Sequence, residues 1–270
     1  YNMRQRAGVK TVAQHEGWDN PDDIDMLESD GLSSDQINQG SRHDYQKLYD
    51  YVKEHDLVND RNAYEYVVSQ IDVDNMIDYF VFRSFFGDTD PGNIRYYRNT
   101  KSGDGKWRYL FYDLDWGLFN STYEEKGKEY ATGAVTYYMN KNGAGTQKIK
   151  ANLFLRKLVE VPQYREKFLT RYAELFNTVL TSEYMENLFL EMIEQIQPEM
   201  QMHMQRWAAE VHPKVSFDQP KNPEGGYNYW VSRVERMLER IFPRRPYYIW
   251  QEIISYFKLT PEQMVSYFGP

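Results

Sequence analysis

The sequence predicts an α+β fold dominated by helices, and three observations lead there. Apolar residues recur at helical spacing from Ser41 to Phe86 and again beyond Lys148. Two runs rich in β-branched and aromatic residues, Ile94 to Arg98 and Lys106 to Tyr112, are separated by Asn99-Thr100-Lys101-Ser102-Gly103-Asp104-Gly105, which reads as a β-hairpin. A chain of 270 residues can bury a substantial core, as one large domain or two modest ones.

Residues 1–40 are polar and rich in turn formers. Val9 to His15 suits a short helix, Asp19-Asn20-Pro21-Asp22-Asp23 a turn and helix cap, and Ile24 to Leu27 a short strand or turn. From a cap at Ser41, Tyr45, Leu48, Tyr49 and Val52 mark one face of a helix. A second helix starts at Asp60 or Asn62 and runs through Val67 and Val68. Asp72 or Asp74 caps a third, with Met76, Ile77, Phe80, Val81, Ser84 and Phe85 as its buried stripe. Asp72-Val73-Asp74-Asn75 resembles the start of a Ca²⁺ loop, but no downstream Gly and Glu complete one, so helix capping is the better reading.

After the hairpin, residues 120–148 read as a long irregular stretch with four glycines. The remainder is helical. Leu153 to Leu158 comes first, and Tyr164, Phe168, Tyr172, Leu175 and Phe176 mark the next helix. A long helix from Leu188 to Met204 contains Pro198, expected to kink or break it. Tyr229 to Ile241 and Tyr247 to Phe257 follow, and Pro261 opens a last short helix. Met200, Met202 and Met204 fit helix packing better than soft-metal binding.

Composition excludes several classes. A net charge of −8 without a basic face argues against a nucleic-acid partner. No apolar run approaches the length of a membrane span. With no cysteine there is no disulfide, thiolate metal site or cysteine nucleophile. The five histidines, at 15, 43, 55, 203 and 212, form no HxH or HxxxH pair, and Ser121 lies in no GxSxG context. The 24 tyrosines suit helical surfaces that bury rings and leave hydroxyls wet, an enrichment common in extracellular proteins.

The most informative stretch is GDTDPGNIRYYRNTKSGDGKWRYLFYDLDWG, from Gly87 to Gly117. Asp88 and Asp90 precede the hairpin and Asp113 and Asp115 follow it, so a compact hairpin brings them to one mouth. Carboxylates converging with the amide of Asn93 are what Mg²⁺ and a phosphate-bearing substrate require. The order Asp90, Asn93, hairpin, Asp113, Gly117 is that of a protein kinase, in which a base and an Asn share one loop and a metal-binding Asp follows. Spacing alone also allows Asp-Pro-Gly-Asn to be a turn and Asp113 and Asp115 to be loop caps. A carboxylate pair could also serve a glycosidase, though the spacing does not select for one.

These residues resemble the CotH kinase family, named for spore coat protein H. YNMRQR is similar to the family's Tyr-x-Met-Arg-Glu-Arg segment, and GWDNPDDIDMLES follows as it does in family members. IDVDNMIDYFVFRSFFGDTDPGNIRYYRN resembles the signature segment, and WRYLFYDLDWGLF the second acidic block, with Tyr112 where Trp is frequent. ANLFLRKL, YREKFLTRYAELF and the pair Arg245-Pro246 extend the match over nearly the whole chain.

The resemblance implies an atypical protein-kinase-like C-lobe with the hairpin at the active-site mouth. Asp90 would be the catalytic-loop base. Asn93 and Asp113 would hold the metal, with Asp115 an additional metal carboxylate. ATP with Mg²⁺ or Mn²⁺ would be the cofactors, and protein Ser or Thr the acceptor. An exported, cell-surface or spore-coat location goes with the family. Asp90 and Asn93 stand closer together than in ordinary kinases, and Gln5 stands where relatives carry Glu.

The family's nucleotide-binding lysine lies upstream of YNMRQR, and Lys10 is no obvious substitute. The chain, which opens at Tyr1 without an initiator Met, is therefore expected to be a single, N-terminally truncated domain. In it, 1–40 would be an N-lobe remnant and linker, 41–148 the catalytic core and 149–270 a helical subdomain. On this reading its own transferase activity is weak or absent. The alternative is a non-catalytic surface or coat-assembly module that keeps the fold.

Overall fold

The computed structural model describes residues 6–30, 35–88, 92–114, 117, 133–139, 152–207 and 223–269. It is mostly helical, with one four-stranded antiparallel sheet, an α+β arrangement. Helix α1 (Val9–Glu16) leads through a 3₁₀ turn into β1 (Ile24–Asp30) and β2 (Asp35–Gln39). Helices α2 (His43–Glu54), α3 (Arg61–Gln70) and α4 (Val73–Phe86) precede the hairpin of β3 (Gly92–Asn99) and β4 (Arg108–Leu110). Then come α5 (Ala134–Met139), α6 (Leu153–Leu158), α7 (Pro162–Phe176) and α8 (Ser182–Trp207). The chain finishes with α9 (Pro223–Arg236), a π-helical turn, α10 (Arg245–Phe257) and α11 (Pro261–Phe268).

The hairpin expected from sequence forms, and its turn chemistry explains why. Asn99 Oδ1 accepts from the backbone amides of Lys101 and Ser102 at 2.8 and 2.7 Å. Gly103 and Gly105 supply left-handed backbone at φ 71° and 70°. The hairpin does not stand alone, however. The strand order is β2-β1-β3-β4, so the strand read as a short strand or turn is central. Its side chains hide the signal: Ile24, Met26 and Leu27 are all buried, which erases the alternation of a half-exposed strand. The edge strand β2, DQINQ, is too polar to be found by pattern.

The two faces of the sheet are covered differently. Leu27, Ile94, Tyr96 and Tyr109 join the main helical core. There Tyr45 of α2 stacks on Tyr96 at 4.1 Å and meets Trp107 and Phe154 edge-on at 5.0 and 5.4 Å. On the other face Val12 and Ala13 of α1 cover Met26 and Tyr97 in a smaller cluster.

Helix boundaries follow local chemistry. Asp60 caps α3 through the Ala63 amide at 3.0 Å, and Asp72, rather than Asp74, caps α4 through Asn75 at 3.1 Å. Helix α2 begins after Arg42, without a side-chain cap; the Ser41 hydroxyl instead accepts from the His43 amide at 3.1 Å. Thr260 and Gln263 form a capping box at α11, with Pro261 in the first turn. Two expectations are corrected. The stretch 120–148 is not wholly irregular, because Ala134–Met139 is a helix with Val135 and Tyr138 fully buried. Of a kink or a break at Pro198, the break does not occur: helix α8 continues through it, where the surrounding turns are exposed and water can satisfy the carbonyl that proline leaves without a donor.

Candidate phosphoryl-transfer site

Helix α4 delivers the first acidic block. Its buried stripe ends at Phe85, and Gly87 takes left-handed backbone at φ 70°, closing the helix with amides of Gly87 and Asp88 on the carbonyls of Ser84 and Arg83. The turn is anchored by charges fully removed from water. Arg83 and Asp88 pair at 2.7 Å with both side chains 0% exposed. Arg83 also donates to the hydroxyls of Tyr79 at 2.6 Å and Tyr138 at 3.0 Å, and Tyr138 in turn donates to the Asp88 carbonyl at 2.8 Å. Burial alone would favour a neutral guanidine, but the oxygens of Tyr138, Tyr79 and Asp88 outweigh it and raise the Arg83 pKa well above its ordinary value. Asp88 is thus committed to a structural ion pair.

A second buried arginine holds the same turn from the far end of the chain. Arg245, at the start of α10, donates to the carbonyls of Ser84, at 2.8 Å, and Phe85. Desolvation pushes its pKa down to about 10, so it remains charged at neutral pH. Glu252, also on α10, accepts from the Thr136 amide at 2.6 Å and so caps α5, the helix that carries Tyr138.

The second block returns to this place. A Cβ on Gly117 would lie 3.0 Å from the Phe86 carbonyl oxygen, so the glycine closing the second block packs on the end of α4. Arg95 pairs with Leu110 across the hairpin, so Asn93 and Asp113 leave it at the same end. Both have left-handed backbone, at φ 55° and 56°; with Lys258 they are the only non-glycine residues with positive φ among the described residues. Asn and Asp tolerate that region better than other side chains, yet it costs about 1–2 kcal/mol each. Such outliers persist where surrounding structure holds them, and they cluster at functional sites. Asp90 and Asp115 lie outside the described residues. In sequence each falls between anchored positions, Asp88 and Asn93 for one, Asp113 and Gly117 for the other.

A polar network that no sequence pattern marks lies beside these two residues. Glu28 of β1 accepts from Arg95 Nε at 2.9 Å, from Asn38 Nδ2 at 3.0 Å and from the Tyr112 hydroxyl at 2.8 Å. Arg95 lies over the Tyr112 ring at 4.3 Å and donates to the Ala7 carbonyl. Against desolvation, which would raise it, the hydrogen bonds from Arg95, Tyr112 and Asn38 hold the Glu28 pKa below its ordinary value. A cleft of about 400 Å³ opens here, lined among others by Arg6, Lys10, Asn38 and Arg95. No sequence signal joins positions 28, 38, 95 and 112. Arg83 left one: a charge inside the aromatic- and aliphatic-rich second half of α4.

Amide and carboxylate oxygens are hard donors, suited to Mg²⁺ or Mn²⁺. Among the described residues no three His, Cys, Asp or Glu side chains group closely enough to hold a metal ion. No helix among the described residues is long and apolar enough to cross a membrane. No curated protein and no solved structure matches the chain. A family model described as CotH kinase protein matches residues 13–248, which take in both acidic blocks, the buried arginine pairings and the sheet. With most of its length matched, the chain belongs to the CotH kinase family.

Proposed function

We propose that this chain supports ATP- and Mg²⁺-dependent phosphoryl transfer to protein Ser or Thr hydroxyls. The observation that carries the reading is the shared left-handed geometry of Asn93 and Asp113 at one end of the hairpin, in a member of a kinase family. Asp90 orients the acceptor hydroxyl and takes its proton. Asn93 and Asp113, joined by Asp115, present oxygens to Mg²⁺ or Mn²⁺. The bound cation would neutralise charge on the nucleotide phosphates. The rigid base formed by the Arg83–Asp88 pair and Arg245 keeps these groups in register, which is where much of the rate of such a reaction originates. The family's namesake, a spore coat protein, supports a coat or cell-surface setting.

The test is transfer of labelled γ-phosphate from ATP to casein and coat-like substrates by the longest natural form of the protein, with Mg²⁺, Mn²⁺ or EDTA. Metal-dependent labelling that Asp90→Ala and Asp113→Ala abolish is expected. Labelling that survives both substitutions rejects the assignment. A non-catalytic assembly module is the second reading, favoured by the apolar side chains of Tyr184, Leu188, Met192 and Ile196, each more than 40% exposed at successive turns of α8. Metal-independent absence of ATP binding in the longest natural form of the protein would select it.

A further inference from the structure

We propose that Glu28 and Tyr112 are positioning residues that lock Asn93 and Asp113 into their metal-holding geometry. The inference rests on the proposed role of those two residues. Asn93 sits at the start of β3 and Asp113 just beyond β4, each in a backbone conformation that a free chain would leave. Something must hold both in the same orientation. One carboxylate reaches both segments: Glu28 Oε2 binds Arg95 of β3, just beyond Asn93, and Glu28 Oε1 binds the hydroxyl of Tyr112, which follows β4 and neighbours Asp113. The Arg95 guanidinium on the Tyr112 ring closes the triangle at 4.3 Å.

The anchor is itself held. Asn38 of β2 donates to Glu28 Oε2, so the carboxylate is oriented by groups from β2, from β3 and from the segment after β4. Glu28 and Arg95 are only 14% and 21% exposed, which limits the water that could replace these bonds. None of these side chains is proposed to touch the cation. They act on it through the backbone of the residues that do, as outer partners of metal ligands commonly do.

Mn²⁺ alone, titrated into the full 270-residue chain and followed by the EPR signal of the free ion, tests this. Glu28→Gln and Tyr112→Phe are each expected to weaken Mn²⁺ binding by roughly 10–100-fold. Tyr112→Phe removes one hydroxyl and keeps the ring over Arg95, so its metal-free Tm should fall by only about 2–6 °C. The double variant should be no weaker than the worse single, because the hydroxyl that Tyr112→Phe removes acts through the Glu28 carboxylate. Binding within about threefold of wild type in both variants, while Asp113→Ala abolishes it, overturns the positioning role and leaves the metal reading standing. No Mn²⁺ uptake by the wild type at millimolar metal, or normal uptake by Asp113→Ala, overturns the metal reading and this inference with it.

Discussion

Replacing Arg83 by methionine tests whether the end of α4 is set by buried electrostatics. The substitution conserves much of the volume but leaves the Asp88 carboxylate, 0% exposed, without its cation. Breaking a buried pair in this way costs about 3–5 kcal/mol. For a chain of this size each kcal/mol lowers Tm by about 2–4 °C, so a drop of roughly 6–20 °C is expected, measured by calorimetry and by urea unfolding. Removing both charges with Arg83→Met/Asp88→Leu should recover about half of the loss, since an apolar replacement of a buried pair is often neutral or better. Recovery stays partial because Arg83 also serves the hydroxyls of Tyr79 and Tyr138, and the Tyr79 oxygen loses that donor. A cost below about 1 kcal/mol for Arg83→Met, or a double variant that loses the sum of the two singles, would show that the buried pair does not set the end of α4.

Gly117→Ala places a methyl group 3.0 Å from the Phe86 carbonyl oxygen; it should cost about 1–3 kcal/mol in unfolding and reduce Mn²⁺ affinity, whereas the same exchange at exposed Gly105 should leave metal binding unchanged. Arg245→Met deprives the buried carbonyls of Ser84 and Phe85 of their donor and should lower stability by about 2–5 kcal/mol in a urea titration, with Arg245→Lys recovering little because an ammonium lacks the fork geometry. Glu28 has its pKa held below its ordinary 4.5, so its contribution is present above that value and is lost as pH falls through the lower folded value. Glu28→Gln should therefore flatten the decline of stability with acidity below pH 4.5, as read by denaturant midpoints at a series of pH values.

The helical body was legible because its signals are local. The caps at Asp60, Asp72 and Thr260, the stripe from Met76 to Phe85 and the turn chemistry of Asn99 with Gly103 and Gly105 each act within a few residues. Helix α5 was not legible: its six residues, with Val135 and Tyr138 fully buried, are stabilised by contacts with α4 and α10, and Tyr138 owes its burial to Arg83 and Asp88. Strand β1 was half legible, because burial on both faces removes the alternation that marks a strand. At the site, the order of the acidic residues was readable, but their separate fates were not: Asp88 is buried in an ion pair while Asp113 is exposed.

By itself the sequence determined the family, the helical character, the hairpin and the pairing of two acidic blocks around it. Long-range packing alone makes β1 run through the centre of the sheet, brings α10 back to hold the end of α4, and lets a single glutamate bind both Arg95 beside Asn93 and Tyr112 beside Asp113. The physical reason is range. Caps, turns and helical stripes are written in neighbouring residues, whereas a buried charge or a shared carboxylate takes its partners from whichever distant segment the packed core brings within hydrogen-bonding reach.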